Sequence, residues 1–329
     1  MADQLLVWLV GVPFALGTAT ALAPEDVPAL FTFADPAIVE SSGLVARDDL
    51  VVTTNDSGDS GRVFTVDPAT GRTVGVTRWE GEPTDVEALA PAGPGEVWVG
   101  DIGDNPGSRD SVEVLRVPVG RGDRTADPER FELVYPDGPT DAETLLAEPE
   151  TGRLVVVSKE IFGGTVYRAP ARLDPDGPNR LTAVGPAPGI ATDGAFFPDG
   201  RHVVVRDYGS ATVLTWPALD TVDSFGLPDQ DQGEGIAVDE DGRVLISTEG
   251  AASDVLAVTL PREVRAAVAP PEPAEPTEPA VPSAPPAPDP ADETEPTPED
   301  RPVWPWFLGG WLGVGVLVVL LRWLWRRPS

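Results

Sequence analysis

Five copies of a short phrase between residues 40 and 236 carry the side chains best suited to chemistry. The copies read Glu40-Ser-Ser-Gly-Leu44, Asp85-Val-Glu87-Ala-Leu89, Asp141-Ala-Glu143-Thr-Leu145, Thr192-Asp193-Gly-Ala195 and Gln232-Gly-Glu234-Gly-Ile236. If Ser42, Glu87, Glu143, Asp193 and Glu234 are equivalent, successive copies lie 45, 56, 50 and 41 residues apart. Carboxylates gathered from such copies would bind a hard cation, accept hydrogen bonds from backbone amides, or activate water beside a bound metal.

In every copy, a second set of polar residues stands at the end of the apolar run that follows the phrase. It comprises Asn55-Asp56, Asp101 with Asp104-Asn105, Lys159-Glu160, Arg206-Asp207 and Glu249. Lys159 and Arg206 are the two cations in this otherwise mostly acidic set. Whether these groups act together depends on the elements that carry them.

Short Val-rich runs separated by turn residues carry both sets. The second runs lie at 50–54, 96–100, 154–158, 202–206 and 244–248, and the third at 62–66, 112–117, 165–168, 211–216 and 254–258. A weaker fourth run follows in four copies, at 73–79, 130–135, 180–184 and 221–227. Turn signals such as Pro-Asp-Gly at 198–200 separate the runs, because Pro fixes φ and Gly allows positive φ. The pattern is typical of β-strands, and no helical period is evident between residues 30 and 260.

Four strands per copy at this period predict an all-β fold, a β-propeller over residues 24–263. Five blades fit the five copies, and six remain open because the step from 87 to 143 is wide enough to hold a degenerate blade. The fifth copy lacks a fourth run, which we expect residues 28–33 to supply. That pairing would close the ring and protect exposed strand edges.

In a propeller the start of the first strand and the end of the second emerge on the same face, so both polar sets should meet at one mouth of the central channel. We therefore predict a binding rim formed by Asp85, Glu87, Asp101, Asp141, Glu143, Lys159, Asp193, Arg206, Glu234 and Glu249. Crowded carboxylates raise one another's pKa unless a cation neutralises them. Glu87, Glu143, Asp193 and Glu234 are the candidate ligands of a metal, for which Ca²⁺ is the natural choice in an oxygen-rich setting.

Two other interpretations of the rim stay open. Lys159 and Arg206, on neighbouring blades, can neutralise the acids instead of a metal. Alternatively, the carboxylates hydrogen-bond backbone amides between blades and hold no ligand, as Asp and Asn in the 55–61 and 100–107 loops suit turns in their own right.

Composition excludes several kinds of function. The chain has no Cys and one His, so thiolate metal sites, disulfides and multi-His zinc sites are excluded. His202 opens a strand and is interpreted as structural. The net charge of −31 argues against nucleic acid as a partner, since its binding depends on neutralising phosphates. No Gly-x-Ser-x-Gly elbow is present, and the single His argues against a Ser-His-Asp triad.

The chain ends predict a cell-surface topology. Residues 303–321 carry no charge and are followed by Arg322, Arg326 and Arg327, which predicts one helix through the lipid bilayer, an extracellular N-terminal domain and a cytoplasmic tail at 322–329. Residues 264–302 read as a Pro- and Glu-rich disordered stalk, or a spacer of no required length. Residues 1–23 end in Ala-Leu-Ala and read as a signal peptide, with an uncleaved anchor as the alternative.

The quoted phrases, with Asn55-Asp-Ser-Gly58 and Gly100-Asp-Ile-Gly-Asp-Asn105, resemble those of secreted or membrane-anchored actinobacterial β-propellers, and more distantly the NHL-repeat, SdiA-regulated and phytase-like propellers. Some of these relatives are Ca²⁺-dependent hydrolases, although this rim lacks the basic cluster that several phosphates would need. Two hypotheses follow: a surface module that binds a ligand or partner, and a Ca²⁺-dependent hydrolase of an ester, lactone or phosphoester. The first is favoured because no nucleophile stands beside a base.

Overall fold

The computed structural model describes residues 28–56 and 58–269, which form twenty-two strands and one short helix. The strands of the first two blades are β2 (Ser41–Arg47), β3 (Leu50–Asn55), β4 (Arg62–Asp67), β5 (Arg72–Trp79), β6 (Val86–Gly93), β7 (Glu96–Asp101), β8 (Val112–Pro118) and β10 (Glu129–Val134). Those of the other three are β11 (Ala142–Ala147), β12 (Leu154–Ser158), β13 (Gly164–Arg168), β15 (Thr182–Ala187), β16 (Asp193–Phe196), β17 (His202–Arg206), β18 (Ser210–Thr215), β19 (Thr221–Gly226), β20 (Gly233–Val238), β21 (Val244–Thr248) and β22 (Asp254–Val258). Each blade is an antiparallel sheet whose first strand packs beside the first strands of its neighbours. The predicted all-β propeller is confirmed, with five blades.

The first of the described strands closes the ring as predicted. β1 (Ala29–Thr32) pairs antiparallel with β22 as the outermost strand of the fifth blade. Ala34 then donates a hydrogen bond to the Gly71 carbonyl of the first blade at 2.8 Å. The two ends of the domain are thus joined in one sheet, and the edge of β22 is covered.

The wide step from 87 to 143 holds a crossing strand in place of a sixth blade. β9 (Arg124–Ala126), in the connection between β8 and β10, reaches back and pairs parallel with β5 of the first blade. β14 (Asn179–Arg180) does the same from the third blade, pairing parallel with β10. These strands tie each blade to the preceding one, and their two or three residues are too short for any periodicity in the sequence to reveal.

The core lies between the blades and not within any one of them. Five clusters of buried apolar side chains fill the five interfaces between neighbouring sheets. Val45, Val52 and Val63 of the first blade, for example, pack against Val97 and Val99 of the second. Short β-branched strands suit this arrangement, because both faces of every sheet are buried.

A short helix follows the last strand. α1 (Arg262–Val268) buries Val264 in the cluster between the fourth and fifth blades, so folded structure extends into the first residues of the predicted stalk. The rest of the predicted stalk, the predicted membrane span at 303–321, the tail at 322–329 and the predicted signal peptide at 1–23 lie outside the described residues. Within the described residues, no helix is both long and apolar enough to cross a bilayer.

Candidate functional site

Irregular pairing presents the repeated acids at one end of the channel. β6 shifts register against β7 between Val86 and Ala88, and β11 shifts against β12 between Ala142 and Thr144, so Glu87 and Glu143 are the extra residues of two β-bulges. A bulge re-aims the side chain that it inserts. We call the end of the channel where β6 and β11 begin the acidic mouth.

Small residues follow the repeated position because neighbouring inner strands approach closely there. A Cβ on Gly43 would lie 2.4 Å from the backbone nitrogen of Leu89, and one on Gly235 would lie 2.6 Å from the carbonyl oxygen of Ser42. Each phrase therefore combines a polar residue at the channel with a small residue where the inner strands of neighbouring blades meet.

Three of the predicted rim acids accept hydrogen bonds from backbone amides. Asp193 is fully buried and accepts hydrogen bonds from Leu44, Gly194 and Ile236 at 3.3, 2.8 and 2.8 Å, which joins the first, fourth and fifth blades. Burial raises the pKa of Asp193, against the lowering effect of these amides. Asp101 accepts from the amides of Thr84 and Asp85 and pairs with Arg109 at 2.8 Å. Asp141 accepts from the amide of Asp104 at 2.8 Å.

Arg206 also has a structural role, because its side chain is hydrogen-bonded to other parts of the propeller. The side chain is fully buried and donates to the carbonyls of Gly235 at 3.0 Å and Ser247 at 3.3 Å, and to the Gln230 Oε1 atom at 3.2 Å. Burial lowers the pKa of Arg206 to about 10. The guanidinium thus fastens the fourth blade to the fifth and does not face an incoming ligand.

Asp56, Asp85 and Glu87 form a compact acidic trio in the mouth. Carboxylate oxygens of all three lie within 4.8 Å of one another. Burial first, and then the charges of Glu143, Asp56 and Asp85, raise the pKa of Glu87 to about 11, and its carboxyl group is hydrogen-bonded to Asp56. Burial, Asp56 and Asp141 also raise the pKa of Asp85. Glu87 is therefore protonated at neutral pH unless a cation takes the place of the proton.

Gly103 leaves the space that the trio occupies. A Cβ at this position would lie 2.4 Å from the Oδ2 atom of Asp85 and 2.9 Å from the Cγ atom of Glu87. Any side chain here would push both acids from their places. The Gly in Gly100-Asp-Ile-Gly-Asp-Asn105 is thus explained by the packing of the mouth.

A lysine ammonium occupies the third-blade side of the mouth. Lys159 contacts Glu143 and donates to the Tyr208 hydroxyl at 2.9 Å, with its Nζ atom 5.2 Å from the centre of the Tyr208 ring. Burial alone would lower the pKa of Lys159, but the bonds to Glu143 and Tyr208 raise it. Burial raises the pKa of Glu143 despite Lys159, and the Oε2 atom of Glu143 is buried without a hydrogen-bond partner among the described residues.

The fifth blade completes the mouth with two further acids. Gln232 bridges them, its Nε2 atom lying 2.5 Å from Glu249 and 3.5 Å from Glu234. Burial raises the pKa of Glu234 to about 7, against the effect of Lys159. Burial, Asp56 and Glu40 raise the pKa of Glu249. Side chains from all five blades thus interact around one opening.

The four residues predicted as one set of metal ligands have different surroundings. Glu87 belongs to the trio, Glu143 contacts Lys159, Asp193 holds backbone amides, and Glu234 lies beside Gln232. Within the described part of the chain, the trio is the one group of three or more acidic or His side chains close enough to share an ion.

Sequence reasoning missed Tyr208 and gave Asp56 no role of its own. Asp56 does follow β3 in the second polar set, which was the available signal. Tyr208 had no such signal, because it lies two residues beyond Arg206 in a loop.

The opposite end of the channel differs in chemistry. A cavity of about 340 Å³ opens there, lined mainly by apolar residues of the five inner strands, among them Leu44, Leu89, Leu145 and Phe196. Its charged lining residues are Arg47, Arg116 and Glu148. Among the described residues, the lining at this end of the channel therefore holds one carboxylate, in contrast to the several of the acidic mouth.

His202 lies away from the acidic mouth. It opens β17 at the opposite face, where its Nδ1 atom is 2.7 Å from the Asp199 Oδ2 atom in the preceding turn. This contact agrees with a structural role.

Comparison with known proteins adds no family assignment, since no family model matches the chain and no curated protein matches it significantly.

Proposed function

We propose that this protein is a binding module and that its acidic mouth recognises a cationic group. One observation carries the proposal: acids from four blades surround an opening in which Lys159 is the one ammonium, while the buried Arg206 is directed to carbonyl oxygens. Crowded, partly desolvated carboxylates are unstable as anions until a cation joins them. Lys159 neutralises only part of this charge.

Ca²⁺ is the cation proposed for the trio. Asp56, Asp85 and Glu87 offer hard oxygen ligands at the spacing of a shared ion, as Ca²⁺ requires. A bound ion would offset the burial and the neighbouring negative charges that together raise the pKa of Glu87. Because the proton on Glu87 must leave first, we expect the affinity for Ca²⁺ to increase as the pH is raised from 6 to 8.

Isothermal titration of Ca²⁺ into the full chain tests this site. We expect binding by the wild type, a loss of at least about tenfold in affinity for Asp85→Asn, and no change for Glu129→Gln, an exposed acid on the outer strand β10. Equal affinities in the wild type and Asp85→Asn would contradict the assignment.

Hydrolysis is the second candidate function, and one observation favours it. Glu87 combines a strongly raised pKa with a place in the trio, as expected of an acid or base beside a metal-bound water. The test is a screen of ester, lactone and phosphoester substrates with Ca²⁺ or with EGTA. Turnover that needs Ca²⁺ and is lost in Glu87→Gln would favour the hydrolase, whereas Ca²⁺ binding without turnover of any class would favour the binding module.

We further propose that the module is displayed at the cell surface by a single span at 303–321. β1 begins and β22 ends on the face opposite the acidic mouth, so the mouth faces away from the strand ends that lead towards the chain termini. Protease added to intact cells should release the propeller by cutting within 270–302, while a C-terminal tag stays protected. Release of the tag would contradict this topology.

A further inference from the structure

We propose that the acidic mouth and an exposed apolar loop beside it form one docking surface for a basic, amphipathic segment of a partner protein. We call Ile161 and Phe162 the apolar lip. The inference rests on the proposed function and goes further, because it names the class of partner.

The apolar lip is exposed to an unusual degree. The side chains of Ile161 and Phe162 are 74% and 101% exposed, in a domain whose other apolar side chains mostly fill the interfaces between blades. Two adjacent large apolar residues left in water indicate a surface that is covered by a partner.

The loop that carries the lip is held at its base. The Ile190 amide donates to the Glu160 carbonyl at 2.8 Å, and Ser158 donates through its hydroxyl to the Glu160 side chain at 2.9 Å. A Cβ on Gly189 would lie 2.8 Å from the Ile161 carbonyl oxygen, so this glycine lets the loop pack closely on the next connection. The lip is therefore presented on a fixed base, which reduces the entropy lost on binding.

The lip continues directly into the mouth. Lys159, two residues before Ile161, lies between Glu143 and Tyr208, and Tyr208 is itself 40% exposed. The mouth thus already holds a primary ammonium between a carboxylate and an aromatic ring, a favourable arrangement for such a cation. Among the residues that the structure describes, none is hydrogen-bonded to the Oε2 atom of Glu143, which leaves a buried acceptor for a second donor. A lysine or arginine from a partner would meet the same chemistry.

The charge of the mouth favours a protein segment over a lipid surface. The acidic mouth would repel an anionic membrane, whereas a segment with basic and apolar side chains can satisfy both parts of the surface. Charged groups at the mouth would guide the approach, and the lip would add the apolar contact that slows dissociation.

The test uses the full chain and a labelled peptide of about twelve residues in which Lys alternates with Leu or Phe, with binding followed by fluorescence anisotropy. Two control peptides carry acetyl-lysine in place of Lys, or Ser in place of Leu and Phe. The lip variant is Ile161→Ser with Phe162→Ser, matched by Val184→Ser, another exposed apolar residue of the same blade. The mouth variant is Glu234→Gln, matched by Glu129→Gln.

We expect the Lys-containing amphipathic peptide to bind the wild type. The lip variant and the Ser peptide should each lose at least about tenfold in affinity, in keeping with the burial of one or two large apolar side chains. Glu234→Gln and the acetylated peptide should also weaken binding, and the two matched controls should not.

Other results would overturn the inference in distinguishable ways. If the acid variant and acetylation weaken binding but the lip variant and the Ser peptide do not, the mouth binds cations only and the proposed function stands. If no peptide binds while Ca²⁺ still does, only the inference falls; if neither binds, both fall. A polarity-sensitive dye on Phe162→Cys, in a chain with no other Cys, would report on the lip itself; a blue shift with phosphatidylcholine vesicles but not with the peptide would make the lip a membrane contact and would also overturn the inference.

Discussion

Burial and neighbouring carboxylates raise the pKa of Glu87 to about 11, whereas in the unfolded chain this carboxyl group titrates near its ordinary value of 4.5. The folded state therefore binds one more proton than the unfolded state between these two values. The contribution of such a group to the free energy of unfolding is complete below the pKa that the group has in the unfolded chain. This contribution is lost as the pH rises towards the pKa that the group has in the folded protein. The acids of the mouth should make the protein less stable as the pH rises.

We predict that Glu87→Gln reduces the loss of stability between pH 5.5 and 9. The expected difference in slope from the wild type is up to about 1.4 kcal/mol per pH unit, the value for one proton. Urea unfolding at several pH values, in EGTA, measures it. Parallel pH profiles for the two proteins would show that Glu87 does not titrate abnormally.

The buried guanidinium of Arg206 leads to a second prediction. Arg206→Lys keeps the charge but cannot reach the carbonyls of Gly235 and Ser247 and the Gln230 side chain at once, so it should lower the free energy of unfolding by about 2–3 kcal/mol. Arg201→Lys, at an exposed site, is the matched control and should cost less than about 0.5 kcal/mol. Equal stability of the two variants would contradict the clamping role.

Sequence reasoning grouped these residues as one binding rim and did not predict the different contacts that each of them makes. Asp193 and Glu234 occupy the same place in the repeated phrase, yet Asp193 is turned to backbone amides and Glu234 to the channel. The difference depends on local pairing: β20 shifts register beside Glu234, while β16 pairs with β17 in unbroken register from Asp193 onward. Register shifts of this kind leave no mark in composition or periodicity.

At the scale of elements, the close approach of inner strands leads to a third prediction. Gly235→Ala should lower the free energy of unfolding by about 1–3 kcal/mol, because its Cβ would meet the Ser247 hydroxyl at 2.4 Å and the Ser42 carbonyl at 2.6 Å. Gly226→Ala is the control, since nothing lies within 4 Å of a Cβ there. Chemical denaturation compares them, and a cost no greater than that of the control would mean that the inner strands can move apart.

The strands themselves were largely predictable, because runs of Val bounded by turn residues carry a strong local signal. β9 and β14 were not, since each depends on pairing with a strand of another blade and spans three residues or fewer. The same reason explains why the number of blades stayed open on sequence alone: the residues that widened one repeat turned out to be a crossing strand.

At the scale of the whole molecule, stability depends on ring closure. Phe33 is fully buried beside β1, in the cluster between the fifth and first blades. We predict that Phe33→Ala lowers the free energy of unfolding by about 3–5 kcal/mol, whereas Leu30→Ala, at a half-exposed position of β1, costs about 1 kcal/mol or less. Thermal unfolding tests this, and a mild effect of Phe33→Ala would show that the ring does not need its closing segment.

The central claim is that the acidic mouth is built for a cation, and thermal unfolding of the full chain at pH 8, in EGTA and in millimolar Ca²⁺, tests it most directly. At a hundredfold excess over Kd, Ca²⁺ should stabilise the wild type by about 2.7 kcal/mol, or about 5–10 °C in Tm. Glu87→Gln should be more stable than the wild type in EGTA, because the wild type must take up a proton on Glu87 when it folds at this pH and Gln need not, and it should lose most of the rise in Ca²⁺. A wild type indifferent to Ca²⁺, together with a Glu87→Gln variant that is less stable under both conditions, would mean that the acids serve only the architecture and would contradict the claim.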